Sequence, residues 1–217
     1  MSGLLGRLRR AVSLTEKQGD EADHRIRLVV GLGNPGGEYS GTRHNVGFWT
    51  VNRLARRHGI ELKSAGQAAL GEGRIAGRAV ALAKPRTFYN ESGRAVWSLI
   101  KRLKLDDAQE LLVVCDELDL PLGKVRLRGR GGGGGQKGLQ SIARETGSDR
   151  FARLRIGIGR PVVRGEPSYE PDVIASYVLS EPPPDERHAL DEAIERAIAA
   201  IETAVAEGVE RAMQQHN

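Results

Sequence analysis

The chain has 217 residues, of which 39% are hydrophobic and 28% charged, a composition that indicates a soluble globular protein and excludes a disordered one. No apolar run approaches the roughly 20 residues that cross a bilayer, so we expect no membrane span. The single cysteine, Cys115, leaves no internal disulfide and favours the cytoplasm. One cysteine and five scattered histidines lack zinc-ligand spacing, so we expect no metal. The formal net charge of +5 favours an anionic partner only weakly.

Residues 1–24 are predicted to be a flexible extension that precedes one domain at 25–217. Leucines alternate with arginines between Leu4 and Leu14, which is typical of a short amphipathic helix, and the sequence then turns polar as far as His24. A docking or targeting arm is the alternative to a frayed extension, and we favour the extension.

From residue 26 onward, apolar runs alternate with helical patterns. In chain order we predict a buried strand at 26–31, a helix at 46–58, two strands within 68–84 that turn near Ala76 and Gly77, a helix at 90–103, strands at 111–115 and 124–130, a helix at 136–146 and a strand at 154–158. Strands that alternate with helices indicate an α/β fold: a single domain with a mixed, twisted sheet flanked by helices.

The C-terminal part is predicted to be mainly helical. A polar connection at 162–171 precedes a short helix or turn at 172–179. Asp185, after three prolines, opens one long helix whose apolar residues recur every three or four positions as far as Met213. We expect this apolar stripe to pack on the sheet.

The stretch 28–47 carries the strongest functional signal. Its apolar run ends in a glycine-rich turn at 31–36, which also matches the G-x-G-x-x-G fingerprint of dinucleotide sites. The residues after Gly36 form a loop rather than a helix, and no acid follows about twenty positions on, so we disfavour that use. His44, farther along this loop, is a candidate general base because a free imidazole titrates near neutral pH.

A second candidate group follows the predicted strand at 111–115. Asp116 stands where α/β sheets bind their ligands, and it can orient an imidazole and favour its cation. Asp116 and Asp119 could instead bind magnesium, but no phosphate loop accompanies them. Asp119 could also cap the turn at Pro121. We favour catalytic support for Asp116, a turn role for Asp119 and a core position for Cys115.

Two further groups are candidate contacts for a large ligand. Asn90, at a predicted helix start, either binds a peptide backbone or caps its own helix. The segment 124–130 alternates cations with small or apolar residues, which puts the cations on one face of a strand. That row is either a solvated edge or, with the glycines at 131–135, a phosphate clamp, and we favour the clamp. Arg153 and Arg155 are expected to extend it.

Four motifs, at 31–47, 84–93, 116–123 and 153–159, resemble in this order those of the bacterial peptidyl-tRNA hydrolase family. The resemblance runs from about residue 25 to the C-terminal helix. It implies a single α/β domain that hydrolyses the ester between a peptide and the terminal ribose of tRNA, without metal or cofactor, and so recycles tRNA from stalled translation. The expected partner is peptidyl-tRNA, bound through its acceptor stem and 3′ end, and we expect a monomer.

The resemblance also implies roles for individual positions. His44 matches the catalytic base, Asp116 its supporting carboxylate, and Asn34 the amide that helps to discriminate a blocked amino acid from a free amino group. The expected substrate-binding residues are Asn34, Tyr39, Phe88, Asn90 and Lys137. The expected contacts to tRNA phosphates are Lys124, Arg126, Arg128, Arg130 and Arg155.

Three residues depart from the usual pattern of the family. Tyr89 replaces a methionine, Gln136 a histidine and Lys137 an asparagine. A lysine beside a basic strand suits a phosphate, so we expect Lys137 to serve tRNA affinity. The rival interpretation is a catalytically silent RNA-binding relative of the same fold. RNA binding alone does not need the combination of Asn34, His44, Asn90 and Asp116, which argues against this rival.

Overall fold

The structure is a computed structural model that describes residues 26–217. The extension predicted at 1–24 lies outside the described residues, so it and the domain boundary remain predictions. The strands of the described part are, in chain order, β1 (Leu28–Gly31), β2 (Lys63–Ala65), β3 (Ala68–Ile75), β4 (Arg78–Pro85), β5 (Leu111–Glu117), β6 (Val125–Arg128), β7 (Ala152–Gly157), β8 (Val162–Val163) and β9 (Glu166–Pro167). The helices are α1 (Val46–Arg57), α2 (Ser92–Leu103), α3 (Lys137–Thr146), α4 (Pro171–Val178), α5 (Pro184–Glu207) and α6 (Val209–His216).

The described residues form a seven-stranded mixed sheet in the order β2-β3-β4-β1-β5-β7-β6. The four central strands run parallel, whereas β2, β3 and β6 join at the two sides through antiparallel pairs. The α/β class with a mixed sheet between helices, predicted from the alternating pattern, is confirmed.

Helices cover both faces of the sheet, which is why its central strands are almost continuously apolar. Val29 of β1 packs in a core shared with α1 and α5, whereas its neighbour Val30 packs in a second core with α2 and α3. The chain passes from β1 to β4 through α1 on one face, and from β4 to β5 through α2 on the other. The carboxyl end of β1 is therefore the point at which the strand order reverses, where such sheets bind ligands.

Three local features differ from the sequence prediction. The short exposed strand β2 was not predicted, and the connection expected at 162–171 contains the β8–β9 hairpin. The predicted single C-terminal helix is wrong, because Gly208 ends α5 with φ 97° and ψ 162° before α6 begins. Backbone in that region is almost confined to glycine, so this one residue redirects the helix while the apolar stripe continues into α6.

Candidate active site

His44 and Asp116 form a hydrogen-bonded pair at the carboxyl edge of the central strands. His44 lies in a single 3-10 turn, Arg43–Asn45, which leads directly into α1, and Asp116 is the sixth residue of β5. The imidazole Nδ1 lies 2.9 Å from Asp116 Oδ2. Asp116 is only 1% exposed, whereas the His44 side chain is 16% exposed and lines a cleft. A neutral imidazole that donates Nδ1–H to the carboxylate keeps Nε2 unprotonated, as a general base requires.

Arg43 holds the turn that carries His44. Its buried guanidinium forms an ion pair with Glu186 near the start of α5, with Nη2 at 2.7 Å from Oε2. It also donates to the hydroxyl of Ser180 at 2.7 Å and lies over the ring of Tyr177, 4.3 Å from its centroid. The sequence singled out this arginine as part of a motif but gave it no role. Its partners indicate that it fixes the loop against the C-terminal helices.

Tyr89 contacts both members of the His44–Asp116 pair. Its hydroxyl donates to Asp116 Oδ1 at 2.8 Å, and its ring stacks on the imidazole with centroids 3.7 Å apart and planes 17° apart. Gln136 contacts both Tyr89 and Asp116. Its Oε1 lies 2.9 Å from the Tyr89 hydroxyl, and its Nε2 donates to the Asp116 carbonyl at 2.5 Å. Burial, reinforced by the negative charge of Asp116, raises the pKa of Tyr89 well above its usual value, so the phenol stays protonated.

Asn34 follows β1 and is oriented by two neighbours. Its backbone N–H donates to Asn45 Oδ1 at 2.7 Å, and Asn45 Nδ2 donates to the Asn34 carbonyl at 3.0 Å. Its side-chain Oδ1 accepts from the backbone N–H of Tyr89 at 2.9 Å. Within residues 26–217 its Nδ2 has no hydrogen-bond partner, so this donor is available to a ligand in the adjoining cleft.

The cleft beside His44 has a volume of about 830 Å³ and contains most of the predicted site. The predicted site residues along its wall are Asn34, His44, Phe88, Asn90, Asp116, Arg126, Lys137 and Arg155. Apolar side chains from the α4 region, among them Ile174 and Leu179, form part of the wall that the sequence did not predict. Tyr39 does not line this cleft, because it lies in a separate 3-10 turn.

The surroundings of Asn90 and Asp119 bear on the alternatives that the sequence left open for them. Asn90 is exposed, lines the cleft and makes no side-chain capping bond to α2, whose N-cap position is Glu91. Asp119 lies in the turn that follows β5, as expected, and its exposed carboxylate accepts from Arg160 Nε at 2.7 Å, with no side-chain bond to the turn backbone within residues 26–217. In the described part of the chain, no three His, Cys, Asp or Glu side chains are grouped to hold a metal ion.

The predicted alternation of the basic row is confirmed on β6, an edge strand. Arg126 and Arg128 are exposed while the intervening residues are buried, and the flanking Lys124 and Arg130 are exposed as well. Across residues 26–217 none of these four cations forms an ion pair. Arg155 lies opposite Arg126 in the strand pairing and forms an ion pair with Glu117 at 2.6 Å.

The expectation that Arg153 extends the basic surface is wrong. This residue is 1% exposed, and its guanidinium donates to the carbonyls of Gly131, Gly132, Asp149 and Phe151. Burial, with a smaller contribution from the nearby Arg155, lowers the pKa of Arg153. It therefore holds the glycine-rich loop instead of facing a ligand.

The geometry can be compared with known proteins. The chain matches the family described as peptidyl-tRNA hydrolase over residues 28–217. It is 46% identical over 191 residues to a peptidyl-tRNA hydrolase of Chloroflexus aggregans, covering 88% of this chain and 98% of that protein. A relative from Roseiflexus sp. strain RS-1 is 47% identical, with 88% and 85% covered. The crystal structure of peptidyl-tRNA hydrolase from Acinetobacter baumannii has a TM-score of 0.82 at 38% identity, with 92% and 97% covered. The chain belongs to the peptidyl-tRNA hydrolase family.

Proposed function

We propose that the protein hydrolyses the ester bond between a peptide and the terminal ribose of tRNA, with His44 as the general base. The observation that carries this proposal is the 2.9 Å contact between His44 Nδ1 and Asp116 Oδ2 at the wall of a cleft large enough for a peptide and a nucleotide. Family membership supports the substrate class, because the relatives are named as peptidyl-tRNA hydrolases.

The reaction needs one base and one ordered water. His44 Nε2 takes a proton from water while Asp116 stabilises the imidazolium that forms, and the hydroxide attacks the ester carbonyl. The tetrahedral intermediate collapses by breaking the bond between carbonyl carbon and ribose oxygen, and that oxygen takes the proton back from His44. The products are tRNA and a peptide acid. A base in this position contributes about 10²–10⁴-fold to the rate.

The peptide is held by amides and the apolar wall of the cleft. Asn34 Nδ2, which has no partner in the described part of the chain, donates to the blocked amino-acid unit, and Asn90 binds the peptide backbone. Phe88 supplies apolar contact, as its ring is 57% exposed along the cleft. Tyr39 does not line the cleft, so it contacts only a part of the substrate that extends beyond the cleft.

The tRNA acceptor stem is held by the basic surface that adjoins the cleft. Arg126 and Lys137 line both cleft and surface, so they receive phosphates nearest the ester. The other proposed contacts are Lys124, Arg128, Arg130 and Arg155. Each phosphate neutralised adds about 0.7–0.9 to the slope of log affinity against log salt.

The proposed setting is cytoplasmic translation, with the domain at 25–217 acting as a monomer that recycles tRNA. Among the described helices none is long and apolar enough to cross a membrane. The alternative function, that of a catalytically silent RNA-binding relative, does not require the His44–Asp116 pair.

An assay with purified protein tests the proposed function. N-acetyl-aminoacyl-tRNA and free aminoacyl-tRNA are incubated separately with the protein, and release of the acyl group is measured. We expect hydrolysis of the blocked substrate and little of the free one. Binding of both tRNAs without hydrolysis of either would support the silent relative, and failure to bind either would contradict both interpretations.

A further inference from the structure

Tyr89 is joined to the proposed base through two independent contacts. Its hydroxyl reaches the carboxylate that orients His44, and its ring covers the imidazole at 3.7 Å. The residue is 4% exposed, and the space around its ring is filled: a Cβ added at Gly138 would lie 2.6 Å from Tyr89 Cε1. The ring therefore has little freedom to leave the imidazole.

The hydroxyl has one proton and two acceptors within reach. Asp116 Oδ1 lies at 2.8 Å and Gln136 Oε1 at 2.9 Å, but a phenol donates only one hydrogen bond at a time. The ionised carboxylate is the stronger acceptor, so the proton points to Asp116. This bond draws negative charge from the carboxylate and weakens its hold on an imidazolium.

Other charged or titratable groups surround the same carboxylate. Cys115 precedes it on β5, and burial raises the pKa of this thiol far above its usual value, so the thiol is neutral. Glu117 follows it and is neutralised by the ion pair with Arg155, while Arg153 lies under the glycine-rich loop. Within the described residues, His44 and Tyr89 are the groups in direct side-chain contact with the Asp116 carboxylate.

We infer that Tyr89 is a positioning residue that holds the imidazole in place and lowers the pH at which His44 becomes a free base. This inference rests on the proposed function for its effect on the reaction. Without the hydroxyl, the carboxylate keeps more of its charge, and the His44–Asp116 pair binds its proton more tightly. The acid limb of the rate profile then moves to higher pH.

The test compares Tyr89→Phe with the wild-type protein in two measurements. The first is the pH dependence of kcat/KM on N-acetyl-aminoacyl-tRNA, for which we expect the midpoint of the acid limb to move to higher pH by about 0.5–1 unit. The second is the NMR titration of the His44 ring, whose signal is assigned by its absence in His44→Ala. The midpoint of this titration should move to higher pH in parallel. The NMR readout does not require turnover, so an inactive wild-type protein would refute the proposed function and still test Tyr89.

The control is Thr203→Val, which removes a hydroxyl that donates to the Ala199 carbonyl at 3.0 Å within α5. It should leave both profiles unchanged. Tyr89→Met, which removes hydroxyl and stacking together, should move the titration of His44 in the same direction and also lower kcat. A folded Tyr89→Phe or Tyr89→Met protein with an unshifted His44 titration would overturn the inference, because a purely structural tyrosine affects stability alone.

Discussion

Asp116 is the most constrained charged residue of the site. Its carboxylate is 1% exposed and accepts from His44 and Tyr89, and its own carbonyl accepts from Gln136. A buried carboxylate is stable only when its oxygens are paired, and these two hydrogen bonds pair both oxygens. The proposed catalytic role of Asp116 and its structural role therefore depend on the same two contacts.

Asp116→Asn should lower kcat by about 10²–10⁴-fold, because an amide can stabilise the wrong imidazole tautomer and cannot neutralise the imidazolium. Loss of the negative charge disfavours protonated His44, so the acid limb of the rate profile should move to lower pH. This is opposite to the shift expected for Tyr89→Phe. A pH–rate series on both variants checks the pair, and shifts of the same sign would contradict this arrangement.

Lys137 is exposed at the cleft wall without an ion pair in residues 26–217. Lys137→Ala should raise KM more than it lowers kcat, and it should reduce the salt slope of tRNA binding by about 0.7–0.9. Lys63→Ala is the matched control, because it removes the same charge from β2 at the opposite side of the sheet. A large fall in kcat with KM and slope unchanged would show that Lys137 acts on the ester or its water.

At the scale of elements, the loop between β6 and α3 depends on one buried cation. The Arg153 guanidinium donates hydrogen bonds to the carbonyls of Gly131 and Gly132. It also lies 4.6 Å from the centroid of the Phe151 ring. This anchoring keeps the glycine run near Asp116, whose carbonyl accepts from Gln136.

Arg153→Met should lower the free energy of unfolding by about 1–3 kcal/mol, since buried carbonyls lose their donor. It should also weaken tRNA binding by freeing the loop. Chemical denaturation gives the free energy of unfolding. Hydrogen exchange of the 131–136 amides reports whether the loop has been freed. Arg128→Met, at an exposed cation of β6, serves as control: it should weaken binding without changing stability. Equal stability of both variants would refute the anchoring role.

Local sequence patterns predicted most elements, because apolar periodicity and glycine-rich turns reflect backbone geometry directly. The central strands and α1 to α3 were found in this way, with boundaries shifted by a few residues. The exposed β2 and the β8–β9 hairpin have no apolar pattern to reveal them. Gly208 lies within a continuous apolar stripe, which masks the break between α5 and α6.

Contacts between distant residues limited what the sequence could predict of the site. His44 and Asp116 were paired through the position of Asp116 after a predicted strand and through family motifs, but nothing in the pattern joins Tyr89 to Gln136, 47 positions away. Arg43 meets Glu186 across 143 positions, and Arg153 is buried by a loop that the strand pattern does not encode. A cation on an alternating strand looks the same in sequence whether it faces solvent or backbone carbonyls.

At the level of the molecular surface, one group of exposed cations without ion pairs in residues 26–217 lies on β6 and at Lys137, beside the cleft. Arg53 and Arg57 of α1, in contrast, form ion pairs with acids of α5 such as Glu195. The exposed cations of β6 and Lys137 have no such partner in the described chain. Steering of tRNA toward the cleft by these cations should weaken as salt rises.

We propose that His44 provides the base for ester hydrolysis, while the exposed cations of β6 and Lys137 bind tRNA independently of it. Single-turnover hydrolysis of N-acetyl-aminoacyl-tRNA by wild-type and His44→Ala protein tests it most directly, with tRNA affinity and thermal unfolding measured on the same samples. We predict a fall in rate of at least about 10²-fold, with affinity and folding nearly unchanged. A folded variant that keeps more than about a tenth of the wild-type rate would contradict the claim.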